Sequence, residues 1–246
     1  MSKPEYVKRT IIKEKINSTA LNEERSFRVY LPPGYNDLLS YPVLYAQDGQ
    51  DIFMFGRIAT IATELILDHG LEPVIIVGID VQKKHRTSEY AVNGEKHSAY
   101  ISFVTDELIP YVESHYPVKT EKEHRLLVGD SLGGTVSLDL AMDYPELFSK
   151  VISLSGAYFE PTYDKIQEKG SLDHLMLWML VGTDETEVET HLGTFDFLEW
   201  NRKTKELLLE KGAQIEYLEK KGEHIWGFWQ KELPVALQYF LKEKDW

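Results

Sequence analysis

The chain has 246 residues, of which 43% are hydrophobic, enough to bury a sizeable core and ordinary for one α/β domain spanning 1–246. Its formal charge of −13 argues against nucleic acid or an anionic membrane as partner, since both call for basic patches. With no cysteine, disulfides and thiolate chemistry are excluded.

Met1 to Thr10 are polar and charged, and no apolar segment after them suits a signal peptide. No stretch is long enough to span a bilayer, so a cytoplasmic protein is expected. Thr10–Asn17 and Arg25–Leu31 read as two strands joined by the polar turn Asn22-Glu23-Glu24. Phe27, Val29 and Leu31 alternate with Ser26, Arg28 and Tyr30, the period of a half-buried antiparallel pair. Val43–Ala46 is a short, continuous apolar run and reads as a strand buried on both faces. The polar loop Gln47-Asp48-Gly49-Gln50-Asp51 follows it. Ligands of open parallel sheets bind outside the carboxyl ends of strands, so the backbone N–H of Gln50 is a candidate oxyanion donor; a plain turn is the alternative.

Ile58, Ile61, Ala62 and Leu65 recur at helical spacing, and Gly70 can end that helix. Val74–Ile79 is another buried strand. It leads into a long polar loop, Val81–His97, holding the basic cluster Lys83-Lys84-His85-Arg86. Arg86 is a candidate contact for an anionic part of a substrate, and a solvated loop is the alternative. Ile101, Val104, Leu108, Tyr111 and Val112 mark a further helix, in which Pro110 should kink the axis or begin the last segment.

Leu126–Val128, after Arg125, is a short apolar run that meets Gly129-Asp130-Ser131-Leu132-Gly133, and an apolar helical stretch follows through Val136, Leu140 and Met142. A Gly-x-Ser-x-Gly sequence between strand and helix is the setting of a nucleophile elbow. Ser131 would sit at the apex of the turn. The Leu132 N–H, in the first turn of the helix, would then donate to an oxyanion formed beside it. The segment lacks the Gly-Lys-Ser/Thr ending of a phosphate loop and the full Gly-x-Gly-x-x-Gly of a dinucleotide fold.

Val151–Leu154 reads as the next strand. Gly156–His174 has no clear period, and a small cap within 156–174 is expected, with Tyr158 and Phe159 as candidate pocket walls. Leu175–Val181 reads as a central strand delivering Gly182-Thr183-Asp184-Glu185. A helix from about Phe195 to Lys211, a last strand Gln214–Leu218, and a terminal helix bearing Leu233, Leu237, Phe240 and Leu241 complete the order. An antiparallel pair followed by alternating strands and helices implies an α/β sandwich with a mostly parallel sheet.

A serine hydroxyl is a poor nucleophile near neutral pH unless a base and a group that orients the base stand beside it. In hydrolases the chain order is serine, acid, histidine. Here Ser131 follows one strand, Asp184 and Glu185 a later one, and His224, in Gly222-Glu223-His224-Ile225-Trp226, the last. His224 is therefore the expected base, with Trp226 nearby to shield the site from water. Gly-x-x-acid spacing favours Glu185 as the acid, with Asp184 and then Glu187 as alternatives. The histidines show no metal-ligand spacing, so neither a metal nor a cofactor is expected.

Gly129-Asp130-Ser131-Leu132-Gly133-Gly134, Asp48-Gly49-Gln50, Gly182-x-x-Glu185 and Gly222-x-His224-x-Trp226 together resemble the putative esterase (esterase D-like) family of α/β-hydrolases. Feruloyl, acetyl and ferric-siderophore esterases belong to it. The resemblance runs from about Ser26 to Phe240. It implies an α/β-hydrolase fold, Ser131 as nucleophile, His224 as base, and Leu132 and Gln50 as oxyanion donors. The adjacent Asp184 and Glu185 leave the acid open. The expected function is hydrolysis of a small-molecule carboxylic ester, with a siderophore ester attractive because of the basic loop. An acyltransferase on the same residues, or a hydrolase-shaped binding protein, are the alternatives.

Overall fold

The computed structural model describes residues 9–242. Strands β1 (Thr10–Ser18) and β2 (Glu23–Leu31) form the expected antiparallel pair, with Thr10 opposite Leu31 and Ser18 opposite Glu23. β3 (Val43–Ala46) is followed by α1 (Gly49–Met54) and α2 (Ile58–Asp68), then β4 (Ile75–Ile79) and α3 (Lys83–Tyr90). α4 (His97–Ser102) passes through a π-helical stretch at Phe103–Leu108 into α5 (Ile109–His115). Pro110 lies in the first turn of α5, so it begins the last segment, where its missing N–H breaks no helical bond.

β5 (Arg125–Asp130), α6 (Leu132–Asp143), β6 (Lys150–Leu154), α7 (Glu160–Glu168) and β7 (Met176–Gly182) follow in alternation. A short hairpin, β8 (Val188–Thr190) and β9 (Gly193–Phe195), precedes α8 (Phe197–Glu210), β10 (Gln214–Lys220) and α9 (Trp226–Leu241). The main sheet runs β1-β2-β4-β3-β5-β6-β7-β10. β2 pairs antiparallel with β4, and every pair from β4 to β10 is parallel.

Alternation along the central strands divides the core. Val43, Tyr45, Leu127, Val151 and Leu177 pack on the face covered by α6 and α8. Leu44, Ala46, Leu126, Val128, Ile152, Trp178 and Leu180 pack on the other, against α2 and α9. Both faces are buried, which is why these strands read as unbroken apolar runs. The chain leaves β3 to one side for β4 and crosses to its other side for β5. The crevice beyond the carboxyl ends of β3 and β5 is therefore the place where a ligand is expected to bind.

Two segments differ from the sequence reading. The loop read over 81–97 contains α3. α3 buries Glu89 and Tyr90 side by side and so shows no apolar stripe; Glu89 takes paired hydrogen bonds from Arg25 of β2 at 2.8 and 3.0 Å. The segment 156–174 holds α7, which packs beside α8 and is tied to α6 by Lys165–Asp143 at 2.6 Å. The segment's first residues, Ala157 and Phe159, line the cavity described below. No described helix is long and apolar enough to cross a membrane.

Candidate active site

β5 ends at Asp130, and Ser131 adopts φ 53° and ψ −123°, a conformation that strains an L-residue. Neighbouring backbone over-determines it. The Ser131 N–H donates to Leu154 O on β6 at 2.9 Å, and Ser131 O accepts from the N–H groups of Gly134 and Ala157, both at 3.0 Å. The turn is tight enough that a Cβ on Gly129 would stand 2.2 Å from the Gly133 carbonyl carbon. Leu132 opens α6, so its N–H has no acceptor within the helix and lies beside the serine.

β7 and β10 are neighbours in parallel register, with Lys220 opposite Gly182, so the turns after them meet. Gly182 and Gly222 approach so closely that a Cβ on Gly182 would lie 2.2 Å from Gly222 O. The Asp184 N–H donates to Gly222 O at 3.1 Å, and the Asp184 side chain is left exposed. The next residue turns inward. Glu185 is fully buried, and its Oε2 is 2.6 Å from His224 Nδ1. Its Oε1 accepts from Ser155 Oγ at 2.6 Å and from the Gly182 N–H at 2.8 Å. Trp229 Nε1 donates in turn to Ser155 Oγ at 2.8 Å. Of the three acids considered from sequence, Glu185 is the one joined to His224. Asp184 and Glu187 are exposed.

With one carboxylate oxygen occupied by two donors, the other is left to accept the Nδ1 proton of His224. That fixes the tautomer and leaves Nε2 free to act as a base. The imidazole is wedged between Phe197, at 4.2 Å between ring centres, and Trp229, edge-on at 4.8 Å. His224 and Ser131 line the same cavity, of about 340 Å³. Leu132, Ala157, Phe159, Leu192, Phe195, Phe197 and Trp200 make most of its wall, and Thr190 and His191 bring in the β8–β9 hairpin. Trp200 stands at the centre of the aromatic group, 4.8 Å from Phe197 and 4.9 Å from Phe195.

Gln50 falls in the first turn of α1 at the carboxyl end of β3, so the expected loop is in part a helix. Its N–H is again one without an acceptor within its helix. Its side chain is taken by Val81: Nε2 donates to Val81 O at 3.2 Å and Oε1 accepts from the Val81 N–H at 3.0 Å.

The three residues expected to line the pocket do not share one setting. Arg86 does line the cavity, but its guanidinium is taken by Asp48, with Nε and Nη2 each 2.8 Å from a carboxylate oxygen. Lys83 and Lys84 are exposed, and neither lines the cavity. Tyr158 is fully buried with its hydroxyl 2.7 Å from Ser153 Oγ, a core position; its neighbour Phe159 reaches the cavity. Trp226 begins α9 and packs edge-on against Trp229 at 5.4 Å, which leaves Trp229 as the indole at His224. Sequence reasoning missed Ser155 and Trp229 behind the acid, and the hairpin over the cavity. Ser155 follows a strand end on the same edge as Ser131, a signal that was there to be used. Among the described residues, no group of three or more His, Asp or Glu is placed to hold a metal ion.

Residues 18–240 match the family described as putative esterase. YjcH, an uncharacterized protein of Bacillus subtilis, is 37% identical over 234 residues, covering 94% of this chain and 98% of its own. An acetyl esterase of Caldicellulosiruptor saccharolyticus is 24% identical over 197 residues, covering 64% of this chain and 70% of its own. Among solved structures, a ferulic acid esterase superposes with a TM-score of 0.82 at 19% identity, over 95% of this chain and 98% of its own. The enterobactin esterase of Shigella flexneri gives 0.82 at 21% identity, over 94% of this chain and 58% of its own. The likeness to these structures is one of fold, the α/β-hydrolase fold.

Proposed function

The chain belongs to the putative esterase family and is a carboxylic ester hydrolase, and from that premise we propose that it works as a serine esterase through Ser131, His224 and Glu185. The observation that carries this reading is the buried Glu185–His224 hydrogen bond of 2.6 Å beside a cavity that His224 shares with the strained Ser131. In the reaction, Ser131 Oγ bonds to the ester carbonyl carbon while His224 Nε2 takes the hydroxyl proton. The carbonyl oxygen becomes an oxyanion held by the N–H groups of Leu132 and Gln50. The carbon–alkoxide bond then breaks, and His224 returns its proton to the leaving alcohol. Water adds to the acyl-enzyme by the same route and releases the acid.

The cavity's walls suit an ester whose acyl or alcohol portion is apolar. Arg86 is the lining residue with a permanent charge, and Asp48 already neutralises it, so the site does not favour an anionic substrate. The siderophore reading loses its support from the basic loop for that reason. A panel of small activated esters of increasing acyl size, run with the wild type and Ser131→Ala, tests the proposal. Wild-type turnover that disappears in a folded Ser131→Ala variant is the expected result. Undiminished turnover in that variant would remove Ser131 from the mechanism.

A further inference from the structure

The mechanism needs two N–H groups from different parts of the chain to converge on one oxygen. Leu132 is carried by β5 and α6, and Gln50 by β3 and α1. β3 and β5 are paired only as far as Ala46 opposite Val128, so the strand ladder stops short of both donors. Beyond it, a charged bridge joins the two segments. Arg86, reaching in from α3, makes the paired 2.8 Å contacts to Asp48 already described, and its Nη2 also donates to the Asp130 carbonyl oxygen at 3.1 Å. Asp48 occupies the position just before α1, two residues before Gln50, in a left-handed conformation (φ 50°, ψ 49°), and its carboxylate makes no capping bond to the helix. The Asp130 carbonyl belongs to the peptide that enters Ser131. One guanidinium thus holds both segments at the point where the donors diverge from the sheet.

The bridge is itself braced. The Asp48 N–H donates to Tyr90 Oη at 3.2 Å, and the Tyr90 ring lies under the guanidinium with its centre 5.4 Å from Arg86 Cζ. Arg86 and Tyr90 are one turn apart on α3. Asp48 also meets α6 directly: a Cβ on Gly133 would be 3.1 Å from Asp48 Oδ2. Asp48 is 2% exposed. Burial opposes the charge of Arg86, but Asp48 and Asp130 outweigh it and keep the group a cation. A planar fork that meets one carboxylate with two N–H groups and still reaches a carbonyl is something a lysine ammonium cannot reproduce.

We propose that Arg86 is a positioning residue for this esterase: through Asp48 and the Asp130 carbonyl it sets the spacing of the Gln50 and Leu132 N–H groups that receive the oxyanion. This rests on the serine mechanism proposed above. Because oxyanion donors act on charge that develops in the transition state, a small displacement lowers kcat and leaves ground-state binding nearly intact.

The test compares wild type, Arg86→Gln, Arg86→Lys, Asp48→Asn and the double variant Arg86→Gln/Asp48→Asn, with Ser131→Ala as control. Each is assayed on a neutral activated ester and on its carboxylate-bearing analogue, at a temperature where its melting curve shows it folded. A trifluoromethyl ketone, which forms a hemiketal oxyanion with a reactive serine, reports on the donors directly. Expected are falls in kcat of roughly 10- to 100-fold for Arg86→Gln and for Asp48→Asn, equal on both esters, with KM within about threefold. Ketone affinity should fall by a similar factor, Arg86→Lys should recover only part, and the double variant should be no worse than the poorer single. Wild-type kcat in Asp48→Asn and Arg86→Gln would overturn the proposal while leaving the serine mechanism intact. So would a rise in KM confined to the carboxylate-bearing ester, which would make Arg86 a substrate contact. Should Arg86→Gln fail to fold, the near-isosteric Asp48→Asn decides alone. Wild-type turnover in Ser131→Ala would overturn the serine mechanism and this proposal with it.

Discussion

Replacing Glu185 with glutamine changes almost no volume and yet reverses one hydrogen bond. Oε1 of the side chain accepts two donors, Ser155 Oγ at 2.6 Å and the Gly182 N–H at 2.8 Å. In Glu185→Gln the amide oxygen keeps that place, because the Gly182 N–H can only donate. The amide nitrogen then faces His224 Nδ1 and donates to it. The imidazole must carry its proton on Nε2 instead, where it points toward the cavity and cannot accept the serine proton. Flipping the amide does not escape this, since it would leave the buried Gly182 N–H without an acceptor, at about 1–3 kcal/mol. A wrong tautomer of this kind lowers kcat by about 10⁴-fold, or about 5 kcal/mol of transition-state stabilisation. The assay is steady-state hydrolysis of an activated ester by Glu185→Gln and Asp184→Asn, with melting temperatures measured alongside. Glu185→Gln should be folded and nearly inactive, and Asp184→Asn, altered at an exposed side chain, should stay within about twofold of wild type. Full activity in Glu185→Gln with loss in Asp184→Asn would refute the reasoning.

Further outcomes follow from the residues behind the site. Ser155→Ala removes one donor from the buried Glu185 and the acceptor of Trp229 Nε1, so stability should fall by about 1–3 kcal/mol. Differential scanning calorimetry would show this as a melting temperature several degrees lower, and an unchanged value would contradict the network. Asp130 is buried beside Asp48, and desolvation and that neighbouring charge push it up to about 7 while Arg86 opposes them only in part. The two carboxylates face one guanidinium: Arg86 Nε is 2.8 Å from Asp48 Oδ1, and its Nη2 is 3.7 Å from Asp130 Oδ2. Between pH 4 and 7 the folded chain therefore holds a proton that the unfolded chain has released, and stability falls as pH rises through that window. Asp130→Asn should flatten this dependence, so its melting temperature should gain on wild type between pH 5 and pH 8, by a free energy of no more than about 4 kcal/mol. Parallel curves for the two proteins would contradict it.

The parts of the molecule built on apolar burial were legible in the chain. Val43–Ala46, Arg125–Val128 and Leu175–Val181 are buried on both faces, and their hydrophobic runs say so. So was the elbow, because a strand, a small-residue turn and a helix leave few other conformations for Ser131. α3 was not legible, because it buries Glu89 beside Tyr90 in place of an apolar stripe, with Glu89 paired to Arg25 and Arg86 to Asp48. Partners so far apart in the chain leave no periodicity within the segment. The choice between Asp184 and Glu185 turned on one backbone hydrogen bond to Gly222, in the turn after β10 about 40 residues on. Tyr158 and Trp226 were misplaced for a related reason. Tyr158 faces the core and its neighbour Phe159 the cavity, while Trp229, one helical turn beyond the half-buried Trp226, is the indole buried against His224.

The most direct measurement is the intact mass of the protein after treatment with a serine-directed fluorophosphonate, followed by peptide mapping. One phosphonyl group per chain is expected, on Ser131, absent from Ser131→Ala and formed far more slowly in His224→Ala. A modification on another residue, or labelling that Ser131→Ala leaves undiminished, would contradict the assignment of Ser131 as the nucleophile.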